Sequence, residues 1–431
     1  MASPHRTRGI WAAVAACALG LAVAPSATAG GARHDDVLGP GTTLYVNPDS
    51  TTLEAAEHLT GQSRADAELL AGYPSATWFT EGSPGQVKKE VHRLVRDAAR
   101  ADEVPVLVAY NLPFRDCSQY SAGGAKNPAQ YRAWIRQLAH GIGRHEAVVI
   151  LEPDGLGIIP WYTTINGELE WCQPADADPQ TAAAERFAML RYAVDVLSRL
   201  PRTAVYLDAG HSAWLGVGDA ADRLRKAGVD RADGFFLNAS NYQHTENLVQ
   251  YGTWISQCLA FGTLTDCPNQ YWNGGPEGTA IADLLGAWTG VALRHDGVWS
   301  PTSTDPTLNT SGIDAGYASR LGDTPPMAHF VIDTSRNGQG PWLAEPGEYA
   351  DPEEWCNPPG RGLGIRPTTD TRKALVDAYL WIKVPGESDG QCLRGTQGPT
   401  DPERGMVDPP AGQWFAEQAR ELIELAVPPV G

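Results

Sequence analysis

Three aspartates give the sequence a candidate for acid–base chemistry: Asp116 in YNLPFRDC (110–117), Asp154 in AVVILEPDGLG (147–157) and Asp389 in WIKVPGESDG (381–390). Each follows a short apolar run, as an acid does at the tip of a buried strand. One such acid reads most simply as a helix cap at a βα turn; three that could converge on one cleft are better explained by chemistry. Splitting a glycosidic bond takes one carboxylic acid to protonate the leaving oxygen, and an inverting enzyme adds a carboxylate that activates water. An acid that stays protonated near neutrality must have its ionised form disfavoured by roughly 2.7 kcal/mol. Burial and a second carboxylate nearby supply such a bias, and Asp116 beside Asp154 would be that neighbour.

Other chemistries find less support. There is no GxSxG elbow, HExxH pair or P-loop. His211 in YLDAGHSAW could serve as a base, but no Ser is placed as its nucleophile. GLGIRP (362–367) is not a dinucleotide fingerprint, because no strand leads into it and no GxGxxG is complete. A cofactor-free hydrolase is expected, with no metal. Fourteen tryptophans suit a sugar substrate, whose apolar CH faces stack on indoles. Trp134 and Trp381 read as core, whereas Trp78, Trp214 and Trp355 lie at run ends or in loops.

Positioning these residues requires a repeating scaffold. Eight apolar runs end in polar residues: 43–49, 76–82, 104–113, 147–154, 203–211, 234–242, 329–337 and 377–389. Amphipathic stretches such as Gln86 to Arg100, Tyr131 to Ile142 and Ala182 to Arg199 separate several of them. Strands alternating with helices predict a largely parallel sheet, and runs apolar throughout predict strands covered on both faces. About seven or eight units point to a β/α barrel, closed or partly open, with a doubly wound sheet as the alternative. In either fold ligands gather at the carboxyl ends of the strands, where Tyr110, Asp208, His211, Asn241, Asp333, Arg336 and Lys383 fall. The segments 243–328 and 341–359 read as long loops, the first with a helix or two. No linker separates a second module.

Residues 1–29 read as a secretory signal peptide: a basic start at Arg6 and Arg8, an apolar Ile10 to Val23, and Ala27-Thr28-Ala29 as cleavage site. Its removal takes the formal charge from -18 to -20. So acidic a chain is a poor partner for nucleic acid or anionic membrane. It also removes Cys17, leaving Cys117, Cys172, Cys258, Cys267, Cys356 and Cys392. An even set in an exported chain predicts up to three disulfides, with the pairing left open by spacing except that Cys258 and Cys267 could staple a local loop.

Seven motifs then occur in the order of a known family: YNLPFRDC, LEPDGLG, YLDAGHSAWLG (206–216), NASNY (238–242), IDTSRNGQGP (332–341), WCNPPGRGLGIRPT (355–368) and WIKVPGESDG. Over 75–431 the chain resembles the catalytic domain of glycoside hydrolase family 6, the bacterial and fungal cellulases. The resemblance implies a single domain over 30–431, a distorted and incomplete parallel β/α barrel. It implies inverting hydrolysis of β-1,4-glucosidic bonds in cellulose or cello-oligosaccharides; a secreted monomer of the endo type is expected, with an exo-acting cellobiohydrolase or a non-catalytic glucan-binding protein as the alternatives. Asp154 matches the general acid and Asp116 the residue that raises its pKa. Asp389 matches the proposed base, with a water relay through Asp116 as the rival, and Tyr110 the residue that crowds the reacting sugar. Trp78, Trp214, Trp355, Lys383 and Glu387 match substrate-binding positions, and Asp208, His211, Asn241 and Arg336 are expected to line the cleft. Cys117–Cys172 and Cys356–Cys392 match the family's disulfides, leaving Cys258–Cys267 as an extra. Two positions depart from the pattern: Gly155 stands where many members have Ser, and Ala122 where relatives often carry a second Ser.

Overall fold

Strand alternation sorts the apolar runs into two cores. In Ala147–Leu151, Val149 and Leu151 join the cluster that meets the helices, while Val148 and Ile150 join an inner cluster with Val106, Val108, Tyr206, Phe236 and Val331. A strand apolar on both faces has nowhere to lie except between two layers. The computed structural model describes residues 37–261, 263–271, 291–326 and 328–430. Residues 1–29, expected as a signal peptide, lie outside them.

Seven strands form one sheet in sequence order: β1 (Thr77–Phe79), β2 (Val106–Ala109), β3 (Ala147–Leu151), β4 (Thr203–Asp208), β5 (Gly234–Leu237), β6 (His329–Asp333) and β7 (Val376–Leu380). Every neighbouring pair is parallel. Instead of a ladder between β1 and β7, the two edges meet through Ala76 N–H to Trp381 O (2.9 Å) and the Trp78 indole to Ile382 O (2.8 Å). The result is the incomplete barrel that the sequence predicts. The run 43–49 is not an eighth strand: Leu44 makes one bridge to Val104, and its polar end turns into the Ser50 cap of a helix.

The crossover helices among the described residues follow their sequence signals. α1 (Thr51–His58) and α2 (Gly61–Ala71) precede the sheet. α3 (Pro84–Ala101) starts at a capping box, Ser83 with Gln86, and buries Val87, Val91, Leu94, Val95 and Ala98. α4 (Pro128–Ile142) is capped by Asn127, and α5 (Ala182–Leu197) and α6 (Val217–Ala227) cover β3 to β5. α7 (Thr245–Phe261) and α8 (Ser311–Leu321) fall in the segment expected as loops with a helix or two. α9 (Ala416–Glu424) packs against α2. None of the helices among the described residues is long and apolar enough to cross a membrane. Trp134 and Trp381 are core residues, as their settings predict, with indole N–H groups on Glu81 O and Ile365 O.

Candidate active site

The tip of β3 makes an abrupt change of chemistry. Burying Val148, Val149, Ile150 and Leu151 stabilises the fold by roughly 6–12 kcal/mol. That is enough to offset the strain of the turn beyond the strand, where Glu152 and Asp154 both sit in left-handed backbone at φ 57° and 60°, at about 1–3 kcal/mol each. The turn closes by Gly155 N–H to Glu152 O (2.8 Å). A Cβ on Gly155 would lie 2.6 Å from that oxygen and 2.9 Å from Glu152 Cβ. This packing leaves no room for a side chain at position 155.

The two acids of the tip have different surroundings. Glu152 is buried, and its Oε2 accepts the amides of Asn111 (2.8 Å) and Leu112 (3.0 Å), fastening the exit of β2 to β3. Burial nevertheless lifts it to about 7. Asp154 opens onto the cleft, and among the described residues nothing donates a hydrogen bond to its carboxyl. Burial first, then the charges of Asp208, Asp116 and Asp389, hold its pKa well above the carboxylate range. Asp154 is an acid biased toward its protonated form, with no hydrogen bond to its carboxyl among the described residues.

Asp116 reaches the same cleft from the loop after β2, at φ 56°. Its Oδ2 accepts Ser121 N–H (2.7 Å), and burial pushes it up to about 6 against that bond and the nearby Arg115. Arg115 clamps this loop through Thr80 O, Tyr110 O and Ser121 O, at 2.7 to 2.8 Å. The Tyr110 ring lies under the Arg115 guanidinium (4.6 Å) and edge-on to Trp78 (5.4 Å).

Asp389 is the opposite of Asp154. Its Oδ2 accepts Arg336 Nη1 (2.8 Å), the Tyr242 hydroxyl (2.9 Å) and Asn357 N–H (3.0 Å), while Lys383 Nζ stands 3.5 Å from Oδ1. Against the cost of burial, these partners lower its pKa. Asp389 is a fixed anion whose Oδ2 carries three hydrogen bonds, while among the described residues Oδ1 meets only Lys383.

The cleft encloses about 740 Å³ and brings together Trp78, Tyr110, Asp116, Asp154, His211, Trp214, Asn241, Trp355, Lys383, Glu387 and Asp389. Two expected lining residues stand behind its wall. Asp208 is buried and accepts the amides of Leu156, Gly157 and Gly210 (3.0 to 3.1 Å). Arg336 is fully buried between Asp389 and Ser240 O. Asp333 is likewise a fastener, accepting amides of Ser240, Ser335, Ile382 and Lys383. The Trp214 indole lies against Gly157, where a Cβ would come within 2.2 Å of the ring. Burial, with His295 nearby, pushes His211 down to about 3, so its imidazole stays neutral. Glu387 accepts the Thr51 hydroxyl (2.6 Å).

Three partners escaped sequence reasoning. Arg186 on α5 ties Gly155 O, Ile158 O and Pro113 O, joining both acid-bearing loops. Asn357 is a two-way clamp on Asp389, donating its amide and accepting Asp389 N–H at Oδ1 (2.8 Å). Tyr242, at the end of the motif NASNY, supplies the hydroxyl. The disulfides are Cys117–Cys172, Cys258–Cys267 and Cys356–Cys392, as the motifs and the local spacing led us to expect. Cys392 also lies near Asp401 and Asp408, but its sulfur is in a disulfide and Asp401 is bidentate to Arg394, so this cluster is not a metal centre.

The chain that folds into this incomplete barrel matches a known family model, Glycosyl hydrolases family 6, over residues 40–426. The chain belongs to that family. It is 34% identical over 424 residues to Endoglucanase 1 of Streptomyces halstedii, covering 97% of this chain and 98% of the relative. It is 33% identical over 395 residues to Endoglucanase A of Thermobispora bispora, covering 91% of this chain but 66% of that longer protein. Among solved structures it resembles the endoglucanase Cel6 from Mycobacterium tuberculosis in complex with methyl-cellobiosyl-4-deoxy-4-thio-β-D-cellobioside, with a TM-score of 0.61 and 33% identity over 89% of this chain and 97% of that one. Membership in family 6 gives the ordered motifs a common reason: they are the strand tips and loops around one cleft.

Proposed function

We propose that this chain is an exported endo-β-1,4-glucanase that hydrolyses cellulose and cello-oligosaccharides with inversion. The observation that carries the reading is the contrast between Asp154, held toward its protonated form with no hydrogen bond to its carboxyl among the described residues, and Asp389, an anion held by Arg336, Tyr242 and Asn357. Asp154 donates its proton to the glycosidic oxygen as the bond breaks. Arg336 and Lys383 hold the Asp389 anion and weaken it as a nucleophile, so water attacks instead, which inverts the anomeric centre. Asp389 is also a poor proton acceptor because Arg336 and Lys383 stabilise its anion. Asp116, lifted to about 6, is the better acceptor of the water's proton, by way of a water chain. Asp389 then contributes negative charge toward the positive sugar ring, and Tyr110 crowds that ring. The stacking surfaces are Trp78, Trp214 and Trp355, with Asn241, Lys383 and Glu387 for hydroxyls. Endo action is favoured by the endoglucanases named above.

The test is Asp154→Asn on unactivated cello-oligosaccharides. General acid catalysis is worth roughly 10²- to 10⁴-fold, so near-normal cleavage would sink the assignment. Proton NMR of the first-formed anomer should show the α product; an initial β product rejects inversion. Carboxymethylcellulose viscosity should drop early relative to reducing ends released. Slow loss with mainly cellobiose would replace the endo reading by an exo one. Binding without new reducing ends would leave a glucan-binding protein.

A further inference from the structure

One tryptophan has no part in the mechanism above. Trp171 is 52% exposed, yet it lines the cleft. It sits on a small antiparallel hairpin between β3 and α5, closed by Trp161 N–H to Cys172 O (2.9 Å), Glu170 N–H to Tyr162 O (2.8 Å) and the Thr163–Leu169 bridge. Alternation along 169–172 puts Leu169, 53% exposed, and Trp171 on one face, with Glu170 and Cys172 on the other. The inward face is anchored firmly. Glu170 pairs with the buried Arg223, and Cys172 is bonded to Cys117, next to Asp116. Tyr162 packs edge-on to Phe187 (5.5 Å) and donates to Asp222 (2.9 Å). A pinned hairpin that turns a large indole outward at a cleft rim presents it to a ligand.

The indole N–H groups point the same way. Those of Trp78, Trp134, Trp161, Trp254, Trp299 and Trp381 donate to protein acceptors. Those of Trp171, Trp214, Trp342 and Trp355, which all line the cleft, have no acceptor among the described residues; the partly buried Trp414 also lacks one but lies away from the cleft. Trp214 packs on Gly157 in the loop that continues into the hairpin, so Trp171 extends the β3–β4 side of the same groove.

We propose that Trp171 is a further sugar platform, stacking a pyranose ring of the same β-linked glucan strand beyond the unit held at Trp214. The proposal rests on the glucanase reading, because it takes its occupant from that substrate. A flat apolar ring with a free donor at its edge fits the CH face and equatorial hydroxyls of a glucose unit. Only strands long enough to reach the hairpin gain from it.

The experiment compares kcat/KM for cellohexaose and cellotetraose in the full chain, Trp171→Ala and Trp171→Phe. One stacked ring is worth about 5-fold. The hexaose-to-tetraose ratio should therefore fall about 5-fold in Trp171→Ala and recover largely in Trp171→Phe. An equal loss on both substrates, or an unchanged ratio, overturns the platform. If the parent protein splits neither oligosaccharide, the hydrolase reading fails, and the platform is read from binding alone. Cellohexaose titrated against tryptophan fluorescence should then bind about 5-fold more weakly to Trp171→Ala, and equal affinities overturn it.

Discussion

Asp116 and Asp154 form a pair whose order of ionisation is set by their surroundings. Burial lifts Asp116 to about 6, and burial with the neighbouring carboxylates holds Asp154 well above the carboxylate range. kcat/KM should rise as pH passes through about 6 and fall where Asp154 ionises. In Asp116→Asn a negative charge is lost beside Asp154, so the pKa of the acid drops and the alkaline limb moves to lower pH. The acid limb set by Asp116 disappears. An unmoved alkaline limb in a pH–rate profile would show that the two carboxyls are not coupled. Asp389 behaves differently when changed. Asp389→Asn leaves Arg336 and Lys383 buried without their counter-charge, which costs on the order of 3–5 kcal/mol. Thermal denaturation of that variant should show a lower midpoint alongside lost activity, so lost activity alone does not make Asp389 a base. An unchanged midpoint would mean that the two cations find other partners. At this scale the sequence was informative where chemistry follows a strand tip, as at Asp154, and silent where it depends on which loops meet. Asp208 and Asp333 look like lining residues in the sequence because they end apolar runs. Their amide partners lie up to 93 residues away, a distance no periodicity encodes.

At the scale of elements, β2 to β5 were legible because double-sided burial leaves its mark on every residue of a run, and β1, β6 and β7 because their runs are still mostly apolar. The run 43–49 carried the same mark, but Leu44 and Tyr45 are buried as a single bridge beside Val104, not as a ladder. The hairpin 161–172 was not legible, since Trp171 sits in a polar stretch whose alternation matters only once Cys172 is tied down. That tie is what fixes the Asp116 loop against the β3 exit. Cys117–Cys172 closes 55 residues and Cys258–Cys267 closes 9. In the chain-entropy picture these are worth about 4 and about 2.5 kcal/mol. The double variant Cys117→Ser/Cys172→Ser should therefore lower the denaturation midpoint more than Cys258→Ser/Cys267→Ser. It should also lower kcat at temperatures where both remain folded, because only the first pair adjoins a catalytic loop. Equal effects on kcat would remove the mechanical link between the hairpin and Asp116.

For the whole molecule, the acids that build the site set how stability depends on pH. Asp116 and Asp208 at about 6, and Glu152 and Asp408 at about 7, all stand above their unfolded values. Between about pH 4 and 7 the folded chain holds protons that the unfolded chain has released, so stability falls as pH rises through that window. Asp389 works in the other direction: its value is lowered, and its contribution is lost only as pH falls through the acidic range. The denaturation midpoint should be higher at about pH 5 than at about pH 8. The formal charge of -18 pushes the same way, because self-repulsion grows as acids ionise. Salt separates the two causes. Repulsion between exposed charges is screened at high ionic strength, whereas the cost of ionising a buried carboxyl is not. The part of the slope that survives in high salt belongs to the buried acids. Glu152→Gln should flatten that part, since an uncharged amide oxygen can still accept from Asn111 and Leu112. A slope that vanishes in salt would assign the effect to the surface and leave the buried acids thermodynamically silent.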